Sequence, residues 1–319
     1  MQQTAIITGG TEGLGFHTAR LLAENHQRAV VVAGRSAAKG HRAVRKLKKN
    51  TGNQRVFFIV LDLSDFDKIH QFVRRYQERV LPPLTVLINN AGIHQYDSTT
   101  HYTRQGYEMT FGVNHLGHFL LTQQLLPLME EGSRIINVAS GVHNPDMKTG
   151  MPAPRYTSAQ KLAYPRNLSS DEPDLGKERY TTSKLCNVLY TYRLAAELES
   201  RRISVNAFDP GMMPGTGLAR QYPWYLRLAW KYIMPISTLF SNRVNTPAQS
   251  ARVLNRWATE SAYADKTGRY FYVGGEESSS AESHREDWQN DLWEFSLRHT
   301  LPEPATKKIV TSNSINNVH

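Results

Sequence analysis

With 319 residues, 40% hydrophobic and 21% charged, the chain can bury a large core and has the composition of a globular protein. Its one cysteine, Cys186, excludes an intrachain disulfide or a cysteine-built metal site and suits a reducing compartment. The net charge of +10 is scattered except around "RAVRKLKK" (42–49), which reads as the solvated face of one helix, so no nucleic-acid partner is expected.

After Met1 and two glutamines the chain enters an apolar strand with no leader, and no later run reaches membrane-spanning length. The expectation is a soluble, cytoplasmic protein. Short apolar runs recur at 5–8, 29–34, 56–62, 84–90, 134–140, 203–209 and 268–274. Segments with helical spacing lie between them at 14–26, 36–49, 65–80, 106–130 and 181–201. Continuous apolar strands alternating with helices imply a doubly wound parallel sheet of about seven strands, with helices on both faces. One domain is expected over 1–300, with an insertion rich in Pro, Ser and charge at 141–177 and a disordered tail at 301–319.

The first strand runs into "TGGTEGLG" (8–15), which opens the first helix. Glycines at 9, 13 and 15 let the backbone turn tightly and approach a pyrophosphate, which the helix N-terminus then stabilises. The loop lacks the Lys-Ser/Thr of a phosphate-transfer loop, so a dinucleotide is favoured and the fold reads as Rossmann-like. The second strand ends in Gly34 and Arg35, where an NAD-specific site would carry an acid. A guanidinium suits a 2′-phosphate, so NADP(H) is preferred over NAD(H).

"LDLSD" ends the third strand with Asp62 placed to accept from an adenine amino group; "NNAG" (89–92) ends the fourth at the ligand-binding edge. "INVAS" ends the fifth with Ser140. In "ERYTTSKLCN" (178–187) Tyr180 and Lys184 stand four positions apart in what reads as the first turn of a helix, so they share one face. Singly these are caps, turn formers and a surface pair; in this order chance explains them poorly.

The series resembles the short-chain dehydrogenase/reductase family over residues 4 to 275, including Asn114 in "FGVNHLGHF" and "DPG" at 209–211. The resemblance implies that Tyr180 is the general acid/base, that Ser140 holds the substrate oxygen, that Lys184 binds the nicotinamide ribose, and that Asn114 anchors a water in the proton relay. For the cofactor it implies Gly9, Thr11, Glu12, Gly13, Leu14, Gly15, Arg35, Asp62, Leu63, Asn90, Ala91, Gly92, Tyr180, Lys184, Pro210 and Gly211. The chemistry agrees: a free tyrosine has a pKa of about 10, and a nearby ammonium brings the phenol toward neutral pH.

"NHLGHF", "YTTSKLCN" and the 40 positions between Ser140 and Tyr180 are similar to the branch of retinol dehydrogenases and light-dependent protochlorophyllide reductases. The insertion is therefore expected to loop out beside the active site. Only Cys186 matches the cysteines of the photoreductases, which makes C=C photoreduction the second reading. A non-catalytic NADP(H)-binding regulator is the third, disfavoured because all four polar positions are present.

The stretch 212–245, rich in Met, Trp, Tyr and Leu, is expected to be a lid over a bulky apolar carbonyl or alcohol, retinal-like or steroid-like. Its apolar part at 224–240 is a candidate for peripheral membrane contact. The family's usual oligomer would use the helices at 106–130 and 181–201, with the insertion standing in the way. His94, His101, His115, His118 and His143 lack acidic or cysteine partners at ligand spacing and read as structural or incidental, so no metal is expected. "EDWQNDLWEFSLRH" reads as an amphipathic helix docked on the core.

Overall fold

The computed structural model describes residues 2–165, 174–213 and 244–301. Most of the expected lid, all of 224–240 and the tail beyond Leu301 lie outside the described residues. Eight strands are described: β1 (Gln3–Thr8), β2 (Arg28–Gly34), β3 (Val56–Val60), β4 (Leu84–Asn89), β5 (Met129–Val138), β6 (Ser204–Asp209), β7 (Arg269–Tyr272) and β8 (Gly275–Glu277). They form one sheet in the order β3-β2-β1-β4-β5-β6-β7-β8. The first seven pair in parallel, as the continuous apolar runs imply, and β8 turns back antiparallel on β7. The fold is the expected Rossmann-like sheet with one added strand. At three residues β8 is too short to carry a readable period.

The helices are α1 (Gly13–Glu24), α2 (Ala37–Thr51), α3 (Phe66–Gln77), α4 (Met109–Phe111), α5 (Gly117–Leu125), α6 (Ala159–Ala163), α7 (Leu175–Glu197), α8 (Pro247–Thr259) and α9 (Glu286–Thr300). Side chains alternate across each strand, so Ile6 and Val31 join the core beneath α3, α5, α7 and α9, while Ile7, Val30 and Val32 join the core beneath α1, α2 and α8. Each fully buried aliphatic side chain contributes about 1.5–3 kcal/mol. Local signals agree with this packing. The Ser36 hydroxyl accepts from the Lys39 amide at 3.3 Å to start α2, Gly52 ends α2 at φ 73°, and Thr246 with Gln249 forms a capping box on α8.

Three segments differ from the sequence expectations. The helix expected over 106–130 is broken: α4 passes through a π-helical turn at Gly112–Leu116 into α5, and 126–128 is a 3-10 turn. A π turn inserts a residue without changing the apolar pattern enough to be read, and such turns gather at functional sites. α7 starts at Leu175, so Tyr180 lies in its second turn and not its first. Gly176 is what lets the loop after β4 press on this helix, because a Cβ there would lie 2.3 Å from the Asp97 carbonyl and 2.4 Å from that of Gln95.

The insertion does not simply loop out. Tyr156 is buried and stacks on Trp288 with ring centres 4.9 Å apart. Its hydroxyl and the Ala159 amide both donate to Asp291 Oδ2 at 2.7 Å. The stretch around α6 is thereby fastened to α9, which also packs on α5 and α7. Charge-assisted hydrogen bonds contribute about 1.5–3 kcal/mol each. Asp291→Ala is expected to lower the unfolding free energy by about 2–4 kcal/mol, and limited proteolysis of the variant should cut first near residues 156–163.

Candidate active site

β1 and β4 are neighbours, yet the chain leaves them on opposite sides, through β2 and β3 one way and β5 and β6 the other. At such a reversal the connecting loops part and leave a crevice at the carboxyl ends of the strands. A cleft of about 1040 Å³ opens there, lined from Arg35 and Asp62 at one end through the glycine loop to Ser140, Tyr180 and Lys184.

The floor is the turn between β1 and α1. Gly9 and Gly13 have φ of 66° and 55°, the left-handed region that favours glycine. A Cβ on Gly15 would lie 2.4 Å from the Gly9 carbonyl oxygen and 2.7 Å from Asn90 Nδ2, so glycine is needed to close the turn over the helix N-terminus. This cradle fits the pyrophosphate of a dinucleotide. Thr11, Glu12 and Leu14 line the cleft here. At the end of β2, Arg35 faces the cleft beside Ser36 and Lys39, and Lys39 Nζ lies 3.4 Å from Glu12 Oε2. Lys39 is a second cation that the sequence reading missed, although its spacing of four from Arg35 was visible. Asp62 Oδ1 accepts from the Ser64 amide and hydroxyl at 3.0 and 2.7 Å, and Leu63 lies beside it.

"NNAG" is held by Thr8. The Thr8 hydroxyl lies 2.9 Å from each of the Asn90 and Ala91 amides, and the Asn90 side chain donates to the Thr8 carbonyl at 2.7 Å. The next residues are held by Asn114, whose Oδ1 accepts from the Ile93 amide at 2.8 Å and whose Nδ2 donates to the Ile93 carbonyl at 3.0 Å. Asn114 Nδ2 also donates to the Ser183 hydroxyl at 2.9 Å, which donates to the Tyr180 carbonyl at 2.7 Å. The side-chain hydrogens of Asn114 are thus committed to protein partners.

Tyr180 and Lys184 share one face of α7, with Lys184 Nζ 5.7 Å from the phenol ring centre and donating to the Val138 carbonyl at 3.0 Å. Burial pushes the Lys184 ammonium down to about 8, against the opposing pull of the Asp209 carboxylate. Asp209 Oδ1 accepts from the Gly211 amide at 2.8 Å and Oδ2 from the Tyr270 hydroxyl at 3.1 Å. Ser140 ends the strand–turn after β5, and Pro210 and Gly211 close the far wall. The structure brings every sequence-selected residue to this cleft or its immediate support.

His94, read from sequence as structural or incidental, lines the cleft and stacks on the Tyr180 ring at 4.6 Å. No local pattern marks it, since the contact joins residues 86 apart. Met147, Thr149 and Met151 of the insertion and Met212 and Met213 after β6 form the wall beyond Ser140. Among the described residues no cluster of His, Cys, Asp or Glu could hold a metal ion, and no helix is long and apolar enough to cross a membrane.

The short chain dehydrogenase family model matches residues 3–159. Polyprenol dehydrogenase from Homo sapiens is 33% identical over 306 residues, covering 93% of this chain and 85% of its own. The chain belongs to the short-chain dehydrogenase family. Retinol dehydrogenase 11 from Homo sapiens is 32% identical over 298 residues, covering 92% of this chain and 84% of its own. The crystal structure of the angucycline C-6 ketoreductase LanV with bound NADP superposes with a TM-score of 0.64 at 25% identity, covering 86% of this chain and 95% of that one. This short-chain dehydrogenase is accordingly an NAD(P)-dependent oxidoreductase resembling the retinol dehydrogenases.

Its buried histidines make acid stability a test of the packing. Burial holds His94, His118 and His143 down to about 4 and His115 to about 3, so all four are neutral in the fold. Unfolded histidines titrate near 6.5. The contribution of these groups is present above that pH and is lost as the pH falls toward 4, at up to about 1.4 kcal/mol per pH unit for each. Glu108, pushed up by burial, works in the opposite sense but is one group against four. Urea unfolding at pH 7.5 and pH 5.0 should show the protein at least about 2 kcal/mol less stable at the lower pH.

Proposed function

We propose that this enzyme interconverts a bulky apolar alcohol and its carbonyl with NADP(H) in preference to NAD(H). The observation that carries the reading is the meeting of Tyr180, Lys184 and Ser140 in one cleft that Met147, Met151, Met212 and Met213 also line. A thioether side chain adapts its shape to an apolar surface, which suits a large or flexible hydrocarbon. The names of the two human relatives, a polyprenol and a retinol dehydrogenase, support the same substrate class.

A bound nicotinamide dinucleotide supplies the hydride chemistry, and Arg35, the glycine loop, Asp62, "NNAG" and Lys184 would hold it. Tyr180 donates its phenol proton to the substrate oxygen in reduction and accepts it in oxidation. Lys184, buried and cationic near neutral pH, stabilises the phenolate. Ser140 fixes the oxygen by hydrogen bonding, and Asn114 shapes the turn through which protons reach Tyr180. The chain is read as one dinucleotide-binding domain through residue 300, with 212–245 as the substrate lid and 301–319 as a tail. Met147 and Met151 of the insertion line the cleft, which supports its share in the substrate wall.

The decisive assay is NADPH oxidation with straight-chain aldehydes of increasing length, using wild type and Tyr180→Phe. Catalytic efficiency is expected to rise with chain length and to fall at least about 100-fold in the variant, while NADPH binding survives. Equal efficiency for short and long aldehydes would overturn the substrate class, and an unimpaired variant would overturn the mechanism.

The preference for NADP(H) is supported by Arg35 just after β2, a position where an NAD-specific site would carry an acid, and by Lys39 on α2, which also pairs with Glu12. Arg35→Asp should weaken NADPH at least about tenfold and leave NADH affinity level or improved, measured by fluorescence titration.

A further inference from the structure

His118 is buried on α5, one turn beyond Asn114, and its ring bridges two parts of the site. Nδ1 lies 3.2 Å from the Asn114 main-chain carbonyl, and Nε2 lies 3.0 Å from the Thr8 hydroxyl. A carbonyl only accepts, so Nδ1 carries the proton and the Nε2 of a neutral ring accepts. The Thr8 hydroxyl must then donate to Nε2, leaving its lone pairs to accept from the Asn90 and Ala91 amides at 2.9 Å. The other acceptor near that hydroxyl, the Ile88 carbonyl, is more distant at 3.4 Å. One tautomer therefore satisfies every group in the chain from Asn114 through His118 and Thr8 to "NNAG". Burial and the neighbouring Lys184 ammonium both favour the uncharged ring.

We propose that His118 is a positioning residue of this active site, pinning the Asn114 carbonyl on the π turn to the Thr8 hydroxyl so that the cofactor loop and the proton-transfer turn share one geometry. A histidine that merely filled the core would satisfy its one donor and one acceptor with whatever groups lay nearest. Here the two ring nitrogens reach the two segments whose relative placement the reaction needs. The Asn114 side chain is spent on Ile93 and Ser183, so its carbonyl is the part of that residue open to the relay, and His118 fixes where it points. The proposal rests on the oxidoreductase reading above, and one arm of its test needs no turnover.

The full-length chain would be compared as wild type, His118→Asn and His118→Gln. An asparagine amide reaches the place of Nδ1 and keeps the donor to the Asn114 carbonyl, losing Thr8. A glutamine amide carbonyl reaches the place of Nε2 and keeps the acceptor for Thr8, losing Asn114. His118→Asn is expected to weaken NADPH binding about tenfold by fluorescence titration, with the pH profile of kcat unmoved. His118→Gln is expected to keep NADPH affinity within about twofold and shift the kcat–pH profile by at least about half a unit. Thr8→Val, close in shape but without the hydroxyl, should lose at least as much, because it also strips the Asn90 and Ala91 amides of their acceptor, and the double variant Thr8→Val/His118→Asn should lose no more than Thr8→Val alone. If both His118 variants lost affinity and turnover together in step with melting temperature, with unshifted pH profiles, or if the Thr8 and His118 losses simply added, His118 would be a core residue and the proposal would fall. A fully active Tyr180→Phe would instead sink the mechanism and leave the NADPH-affinity arm to decide on His118.

Discussion

The Thr8 hydroxyl is the contact on which the site is built. It sits at the end of β1, where the strand order reverses, and takes the first two amides of the loop leaving β4. A parallel sheet has no ladder partner for amides beyond its last paired residue, and a buried amide without a partner costs about 1–3 kcal/mol. One side-chain oxygen meets that need and shapes the crevice in the same act. The Asn90 side chain completes the stitch by returning a hydrogen bond to the Thr8 carbonyl. The glycine loop packs against this junction through Asn90, and Asn114 holds the same loop two residues on at Ile93.

Polar groups elsewhere in the site follow the same economy of partners. Asn114, Ser183 and the Tyr180 carbonyl form a relay of hydrogen bonds that binds the π turn to α7. Lys184 is buried but donates to the Val138 carbonyl and feels the Asp209 carboxylate, which holds its ammonium in place beneath Tyr180. Burying such charges is costly unless they are paired and hydrogen-bonded, so the Tyr180–Lys184 face of α7 is fixed by electrostatics as much as by apolar packing. The methionine wall is the contrasting part of the cleft, adaptable where the polar end is rigid.

Much of this was legible in the residues themselves. Strand β2 and its neighbours are continuous apolar runs because both sheet faces are covered, and that pattern depends on nothing but composition along a few residues. The glycine turn was legible because its φ values and close backbone contacts exclude side chains. Tyr180 and Lys184 were legible as a pair because a helix places residues four apart together. The start of α7 was misjudged because Asp174 offers no side-chain cap to the helix, and the π turn at 112–116 was invisible because it leaves the local apolar content unchanged.

The sequence by itself determined the sheet, the dinucleotide loop and the identity of the polar residues at the strand ends, since each depends on neighbours close along the chain. Only the tertiary structure decided that His94 lies against Tyr180, that Tyr156 and Ala159 fasten the insertion to Asp291, and that His118 reaches both Thr8 and Asn114. Contacts between distant segments are fixed by where the sheet and helices place their ends. A hydrogen bond across 110 positions, as between Thr8 and His118, leaves no periodic trace in the order of the residues.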